Sequence, residues 1–245
     1  MIGCHCAVCT STDPRDQRSR PSIVVSYDGH NILVDTTPEL RLQAVRAGLD
    51  RISAVVYTHG HADHIFGLDD VRRYNTIMGT PLPLYAMPET MATLRQAFGY
   101  AFEPPLDKNR AYKDAIYRPE LSPVEIEGPF ELFGRTWTPI NLPHGRFRVL
   151  GFRIGNFAYC TDCHDIPVEE REKLRGLDTL IIDALRARPH PTHLTFEQAM
   201  AIAEDVKPRR VFFTHIAHEV KHADIDAAMP PHIRAGFDGM RIEVS

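Results

Sequence analysis

No stretch of the 245-residue sequence approaches the run of about 18 apolar residues that a membrane-spanning helix needs, so no membrane partner is expected. It opens without a secretory signal, which points to a reducing, cytoplasmic compartment and argues against reading its five cysteines as a disulfide framework. Positive charge is not in excess. Lys and Arg number 28 against 32 Asp and Glu, a formal net charge of -4 that gives no global attraction to nucleic acid, and nucleic acid is not expected as a partner. Short repeats, low-complexity tracts and long linkers are absent too. What is present, 43% hydrophobic and 24% charged residues, suffices to bury a sizeable core in one domain spanning 1–245.

Hydrophobic patterning predicts strands near 22–26, 31–35, 52–58, 82–86, 130–133, 136–142, 151–154, 157–161, 179–183, 211–214 and 241–244. Helices are predicted over 38–47, 65–74, 88–98, 168–174 and 196–205. The last opens with Thr195 and Gln198 in a capping-box pattern, buries Phe196, Ala199, Met200 and Ala203, and stops at Pro208. Segment 79–128, rich in proline and aromatics, reads as an insertion or lid.

The most informative stretch is His59-Gly60-His61-Ala62-Asp63-His64, directly after the apolar run 52–58. A buried strand ending in such a loop aims His59 and His61 one way and Asp63 and His64 another. Imidazole suits zinc, iron or manganese, and carboxylate adds charge, so one turn can serve two adjacent cations. The competing reading is a solvated histidine-rich turn, against which the ligand spacing argues.

Cysteine is distributed in two clusters. Cys4, Cys6 and Cys9 form C-x-C-x-x-C, and in a reducing compartment a metal is favoured over a disulfide. Three thiolates need a fourth ligand to close a tetrahedral zinc site. Cys160 and Cys163 form C-x-x-C around Asp162, but nothing nearby resembles a thioredoxin-type opening. Period-two alternation puts Cys160 on the side of Asp162, packed, with Cys163 and His164 at the pocket mouth. Arg15, Arg18 and Arg20, or Arg146 and Arg148, suit a phosphate, though a solvated basic loop explains them as well.

H-x-H-x-D-H resembles the signature of the metallo-β-lactamase superfamily, and the resemblance runs from near residue 1 to the end. It implies an α/β (αββα) sandwich. It also implies that His144 completes a first metal site with His59 and His61, that Asp162 bridges, and that His215 completes a second site with Asp63 and His64. The cysteine cluster resembles that of PhnP-like phosphodiesterases, which implies His218 as the fourth ligand of a structural zinc. The same resemblance points to His193, ahead of His190, as the acid that protonates the leaving group. Asp35 would orient the metal loop by hydrogen bonds. The implied enzyme is a binuclear hydrolase with catalytic Asp63, Asp162 and His193. It would use two zinc, manganese or iron ions and a bridging hydroxide on a small phosphodiester such as a ribose 1,2-cyclic phosphate.

One departure is visible. PhnP-like chains normally place an extra strand and a glycine-rich loop before the cysteine cluster, whereas this sequence begins Met1-Ile2-Gly3-Cys4. Either the start lies too late or the fold runs without that strand, leaving a sheet edge that a second copy could cover as a homodimer. Three other readings compete: a tRNase Z-like nuclease, a carboxylic ester, thioester or lactone hydrolase, and a non-enzymatic PqqB-like accessory protein.

Overall fold

The computed structural model describes residues 1–103 and 118–244. Its contacts fall into two compact units, Arg20–Glu127 and a second made of Met1–Ser19 with Gly128–Ser245. Each holds one mixed sheet.

The first unit carries β1 (Ile23–Tyr27), β2 (His30–Val34), β3 (Ala54–Val56), β4 (Leu82–Ala86) and β5 (Leu121–Glu125), hydrogen-bonded in that order. β1 and β2 are antiparallel and the remaining pairs parallel. The central strand β3 is buried on both faces, which is why its sequence is a continuous apolar run rather than an alternating one. Helices α1 (Leu40–Ala47), α2 (Ala62–Ile65), α3 (Arg72–Met78) and α4 (Pro88–Ala97) join these strands. Leu40, Ile65, Leu68, Met91 and Leu94 pack with Leu33, Val55, Tyr57 and Leu84 into one core. Each such side chain contributes about 1.5–3 kcal/mol on burial.

The second unit holds β6 (Phe130–Leu132), β7 (Arg135–His144), β8 (Phe147–Ile154), β9 (Phe157–Cys160), β10 (Thr179–Asp183), β11 (Arg210–Thr214) and β12 (Ile233–Ala235), in spatial order from β12 to β6. β6 to β9 are antiparallel, whereas β9 through β12 run parallel. The ends of β9, β10 and β11 therefore open on one edge of the sheet, where ligands of parallel sheets collect. Three helices accompany it, α5 (Val168–Arg171), α6 (Phe196–Val206) and α7 (His222–Ala228). At α6, Thr195 and Gln198 form the predicted reciprocal cap, and Lys207 in the left-handed region ends the helix one residue before Pro208.

Three expectations change. The helix expected over 65–74 is broken into α2, a 3-10 turn at Leu68–Val71, and α3. Gly67 causes the break: it lies against the backbone of Thr37, donates to Thr36 O at 2.9 Å, and leaves no room for a Cβ. No strand forms at 241–244, where only Ile242 is partly buried; Ile233 and Ala235 bury one face instead and make β12. β5 escapes sequence reading because Pro123 sits inside it, which an edge strand tolerates. Of segment 79–128, β4, α4 and β5 belong to the first sheet and its neighbours, while 104–117 lie outside the described residues.

A Cβ at Gly67 would stand 2.0 Å from Thr37 O. Gly67→Ala is expected to destabilise the first unit by about 1–3 kcal/mol, the usual range for overpacking. Urea unfolding of the variant beside wild type checks it, and an unchanged midpoint would refute the tight approach.

Candidate metal centres

In the first unit the chain leaves β3 through buried Tyr57 and Thr58 into His59, and His61 is the residue from which α2 starts. His61 lies in extended backbone while Asp63 and His64 lie in the first helical turn. The rings of His59 and His61 are 4.5 Å apart, those of His59 and His64 4.3 Å, and His64 Nε2 lies 3.6 Å from Asp63 Oδ2.

One carboxylate fixes the tautomers. Asp35, fully buried, accepts from Thr58 N at 2.9 Å, from Thr58 Oγ1 at 2.8 Å, and from His64 Nδ1 at 2.8 Å. The Thr58 hydroxyl proton is committed to Asp35, so its oxygen accepts from His59 Nδ1 at 3.0 Å. Both imidazoles therefore carry hydrogen on Nδ1 and keep Nε2 as a lone-pair donor, the arrangement that a metal ligand needs. Burial raises the Asp35 carboxyl above its ordinary value, and the His64 ring opposes that shift.

In the second unit His144 ends β7, Asp162 follows β9, Asp183 ends β10 and His215 follows β11. Ligand atoms of His144, Asp162 and His193, and likewise those of Asp183, His193 and His215, lie within 4.8 Å of one another. His144 Nδ1 donates to Thr192 O at 2.9 Å, which puts that ring's hydrogen on Nδ1 and leaves Nε2 unprotonated. Asp162 Oδ1 accepts from Thr161 Oγ1 at 2.8 Å, and Oδ2 lies 3.5 Å from His215 Nε2. His193, mostly buried, donates from Nδ1 to Asp183 Oδ1 at 3.1 Å and stacks on His215 with centroids 4.5 Å apart. The other Asp183 oxygen accepts from Leu194 N at 2.8 Å. His190, whose ring lies 5.0 Å from that of His193, has its Nδ1 occupied by Thr192 and is shifted down by burial.

Asp35, Asp162 and His215 all have positive φ, at 64°, 55° and 57°. Non-glycine residues adopt this region rarely, and strain of this kind gathers at functional sites. Donor chemistry fits divalent cations in both units, with neutral imidazole and carboxylate favouring zinc, manganese or iron.

Also in the second unit, Cys4, Cys6, Cys9 and His218 converge as the sequence implies. His218 Nδ1 lies 3.6, 3.4 and 3.5 Å from the three Sγ atoms. Zinc with bonds of about 2.3 Å to sulfur and 2.0 Å to nitrogen has tetrahedral edges of about 3.5 Å, so the tetrad fits it. The Cys9 amide and the His218 ring hold the Cys6 thiol down to about 6, favouring the thiolate.

Some sequence readings change. Cys163 does not line a pocket mouth: it is fully buried in the core with Cys160, because the chain turns at the left-handed Asp162 between them. Burial pushes both thiols up, which keeps them inert. The arginines near the start have structural partners. Arg15 forks onto Asp13, Arg18 donates to the carbonyls of Ala217 and Val220, and Arg20 pairs with Glu39. Sequence reasoning missed Asp183, Thr58 and Thr192. The signal available was a carboxylate ending an apolar strand at Asp183, the pattern that singled out Asp35.

A beta-lactamase superfamily domain model matches residues 30–216. An octanoyltransferase of Porphyromonas gingivalis is 36% identical over 242 residues, 98% of this chain and 48% of that protein. A ribonuclease Z of Mycolicibacterium gilvum is 32% identical over 184 residues, 70% of this chain and 62% of that protein. The chain thus spans only about half to three-fifths of the length of these curated relatives. Among solved structures, a diphosphatase from the PhnP family superposes with a TM-score of 0.89 at 43% identity, covering 98% of this chain and 89% of the other. Zinc-bound PqqB from Methylobacterium extorquens, at 21% identity and a TM-score of 0.73 over 99% and 95% of the two chains, shares the fold. With the family model, the histidine-aspartate motif and the cysteine tetrad in agreement, the chain belongs to the beta-lactamase superfamily, with a metallo-β-lactamase fold of the PhnP-like kind.

Proposed function

We propose that the protein is a binuclear phosphodiesterase that opens a small phosphodiester, such as a ribose 1,2-cyclic phosphate, in the reducing cytoplasm where its thiols persist. In this reading His59, His61 and His144 would hold one cation, and Asp63, His64 and His215 the other. Asp162 would be a ligand available to either, and zinc would suit the cysteine tetrad. Such a pair of cations supplies charge stabilisation for a phosphoryl group and acidifies water to near neutral pH. The chain's own residues set the rest. Asp35, Thr58 and Thr192 present unprotonated Nε2 atoms. Asp63 contributes an anionic donor from the start of α2.

The observation that carries the phosphodiester reading is the His193–Asp183 pair. Hydrolysis of a phosphodiester expels an alkoxide from a dianionic phosphorane, and a group placed to protonate the departing oxygen assists that step. His193 keeps Nδ1 on Asp183, so a proton on Nε2 is the one available to a leaving group. The similarity to a diphosphatase supports attack at phosphorus and makes a phosphoric anhydride the neighbouring substrate class. A tRNA-directed nuclease is the second reading, favoured by similarity to ribonuclease Z over 70% of the chain.

Turnover of bis(p-nitrophenyl) phosphate, beside a nitrophenyl monoester, nitrophenyl acetate and an unprocessed tRNA, separates these readings after loading with manganese or zinc. Diester turnover that disappears in Asp162→Ala is the expected result; acetate cleavage alone would overturn it. Cys6→Ser should lower the thermal midpoint while keeping most turnover of this activated diester. Equal loss of fold in Asp162→Ala and Cys6→Ser would refute that division of labour.

His193→Ala is expected to slow diesters with poor leaving groups by about 10²–10⁴-fold, the usual range for general acid catalysis, and nitrophenyl diesters far less. A uniform slowing across leaving groups would instead assign His193 to substrate positioning.

A further inference from the structure

We infer that Glu219 is a positioning residue, through which the Cys4, Cys6, Cys9 and His218 tetrad fixes the loop 186–193 that carries His193. The inference rests on the proposed reading only for what the loop does in the reaction; the mechanical link stands on contacts within the second unit.

Glu219 directly follows His218, whose ring faces all three cysteine sulfurs. One residue of chain leaves little slack between tetrad and carboxylate, since neighbouring Cα atoms are about 3.8 Å apart. The carboxylate takes two guanidiniums. Arg188 forks onto it, with Nε at 3.1 Å from both oxygens and Nη2 at 2.7 Å from one, and Arg186 Nη1 donates at 3.2 Å. Arg186 then closes the turn from inside, with Nε donating to Arg188 O at 3.2 Å and Nη2 to Pro189 O at 3.1 Å. Past that turn the loop delivers Thr192 O to the ring of His144 and His193 to Asp183.

Backbone bonds hold the base of the loop. Ala184 N reaches Thr214 O, Ala217 N reaches Leu185 O, Leu185 N reaches Leu194 O, and Phe196 N reaches Arg186 O. None of these four restrains 187–193, where the site residues stand. A single exposed ion pair would restrain it weakly too. Here one carboxylate is shared by a bidentate partner, Arg188, whose side chain is 68% exposed, and a monodentate one, Arg186, which is only 16% exposed, so Arg186 is the anchored half of the brace.

Hydrogen exchange of the metal-loaded protein, read by mass spectrometry on peptides covering 186–193, tests the link in wild type, Glu219→Ala, Cys6→Ser and the double variant. Either single change is expected to speed exchange in the loop by about threefold to tenfold, the scale of one charged contact. Once Glu219 is gone, Cys6→Ser should add nothing in the loop, although it still speeds exchange in the N-terminal arm. Glu219→Gln, which keeps an acceptor and the side-chain length, should restore part of the protection. In turnover, Glu219→Ala should lower kcat for poor leaving groups with KM unchanged. Unchanged loop exchange in Glu219→Ala, or additive effects in the double variant, would overturn the inference. Exchange is read without any substrate, so a protein that cleaves no phosphodiester but shows the non-additive cycle would sink the functional reading and leave this one standing.

Discussion

The carboxylate of Asp35 is the constraint from which the arrangement of the first unit's histidines follows. It is fully buried, a placement that costs several kcal/mol unless its oxygens are well satisfied. Three donors satisfy it, and each does something for the site. The Thr58 amide ties the carboxylate to the end of β3, and the Thr58 hydroxyl passes its orientation to His59. His64 receives it directly. Two imidazoles are thereby set in one tautomer by one group. The left-handed backbone at Asp35 turns that carboxylate back toward the histidine loop. In the second unit Asp183 plays the corresponding part for His193, with its other oxygen on the Leu194 amide.

This logic separates what the sequence discloses from what it conceals. Ligand types and their order along the chain are local facts, so His59, His61, Asp63 and His64 are readable as a spacing, and Cys4, Cys6 and Cys9 likewise. The capping box at Thr195 and Gln198 is local as well, and forms as written. His144, Asp162 and His215 stand in the sequence merely as a carboxylate or imidazole beside an apolar run; knowledge of the family was needed to gather them. Asp183 fits the same description and went unnoticed because its partner, His193, is ten residues away across a turn with no periodic pattern. Backbone strain leaves no trace in composition, since Asp162 and His215 look like ordinary strand-end residues until φ is known.

The errors have the same origin. A helix over 65–74 satisfies every local preference, yet the close approach of Gly67 to Thr37, thirty residues earlier, divides it. The strand expected at 241–244 has adequate β-propensity, but β-propensity is realised only against a face to pack on, and Ile233 with Ala235 supplies that face first. Pro123 within β5 illustrates the converse, a residue that forbids a central strand and is acceptable at an edge. In each case a contact distant in sequence outweighs a local tendency of a few tenths of a kcal/mol per residue.

The N-terminal arm shows why a metal tetrad can act on geometry rather than merely on attachment. Independently of any thiol, the arm is held by Asp16, which accepts from His222 N at 2.7 Å, and by Arg18, whose guanidinium donates to the carbonyls of Ala217 and Val220 at 2.6 and 2.9 Å. Arg18 is mostly buried, so these charged hydrogen bonds are made away from bulk water and are hard to replace. With the arm already docked at two points, closing the tetrad adds to that attachment and also gives His218 a fixed position. That residue lies between His215, a donor of the proposed binuclear centre, and Glu219, which holds the turn before His193. A tetrahedral site tolerates only small displacements of its ligands before bonds lengthen. Rigidity imposed at His218 therefore reaches three residues back along the chain to His215 and one residue forward to Glu219, and this placement explains why a structural metal site belongs beside a catalytic loop rather than at the far end of the arm.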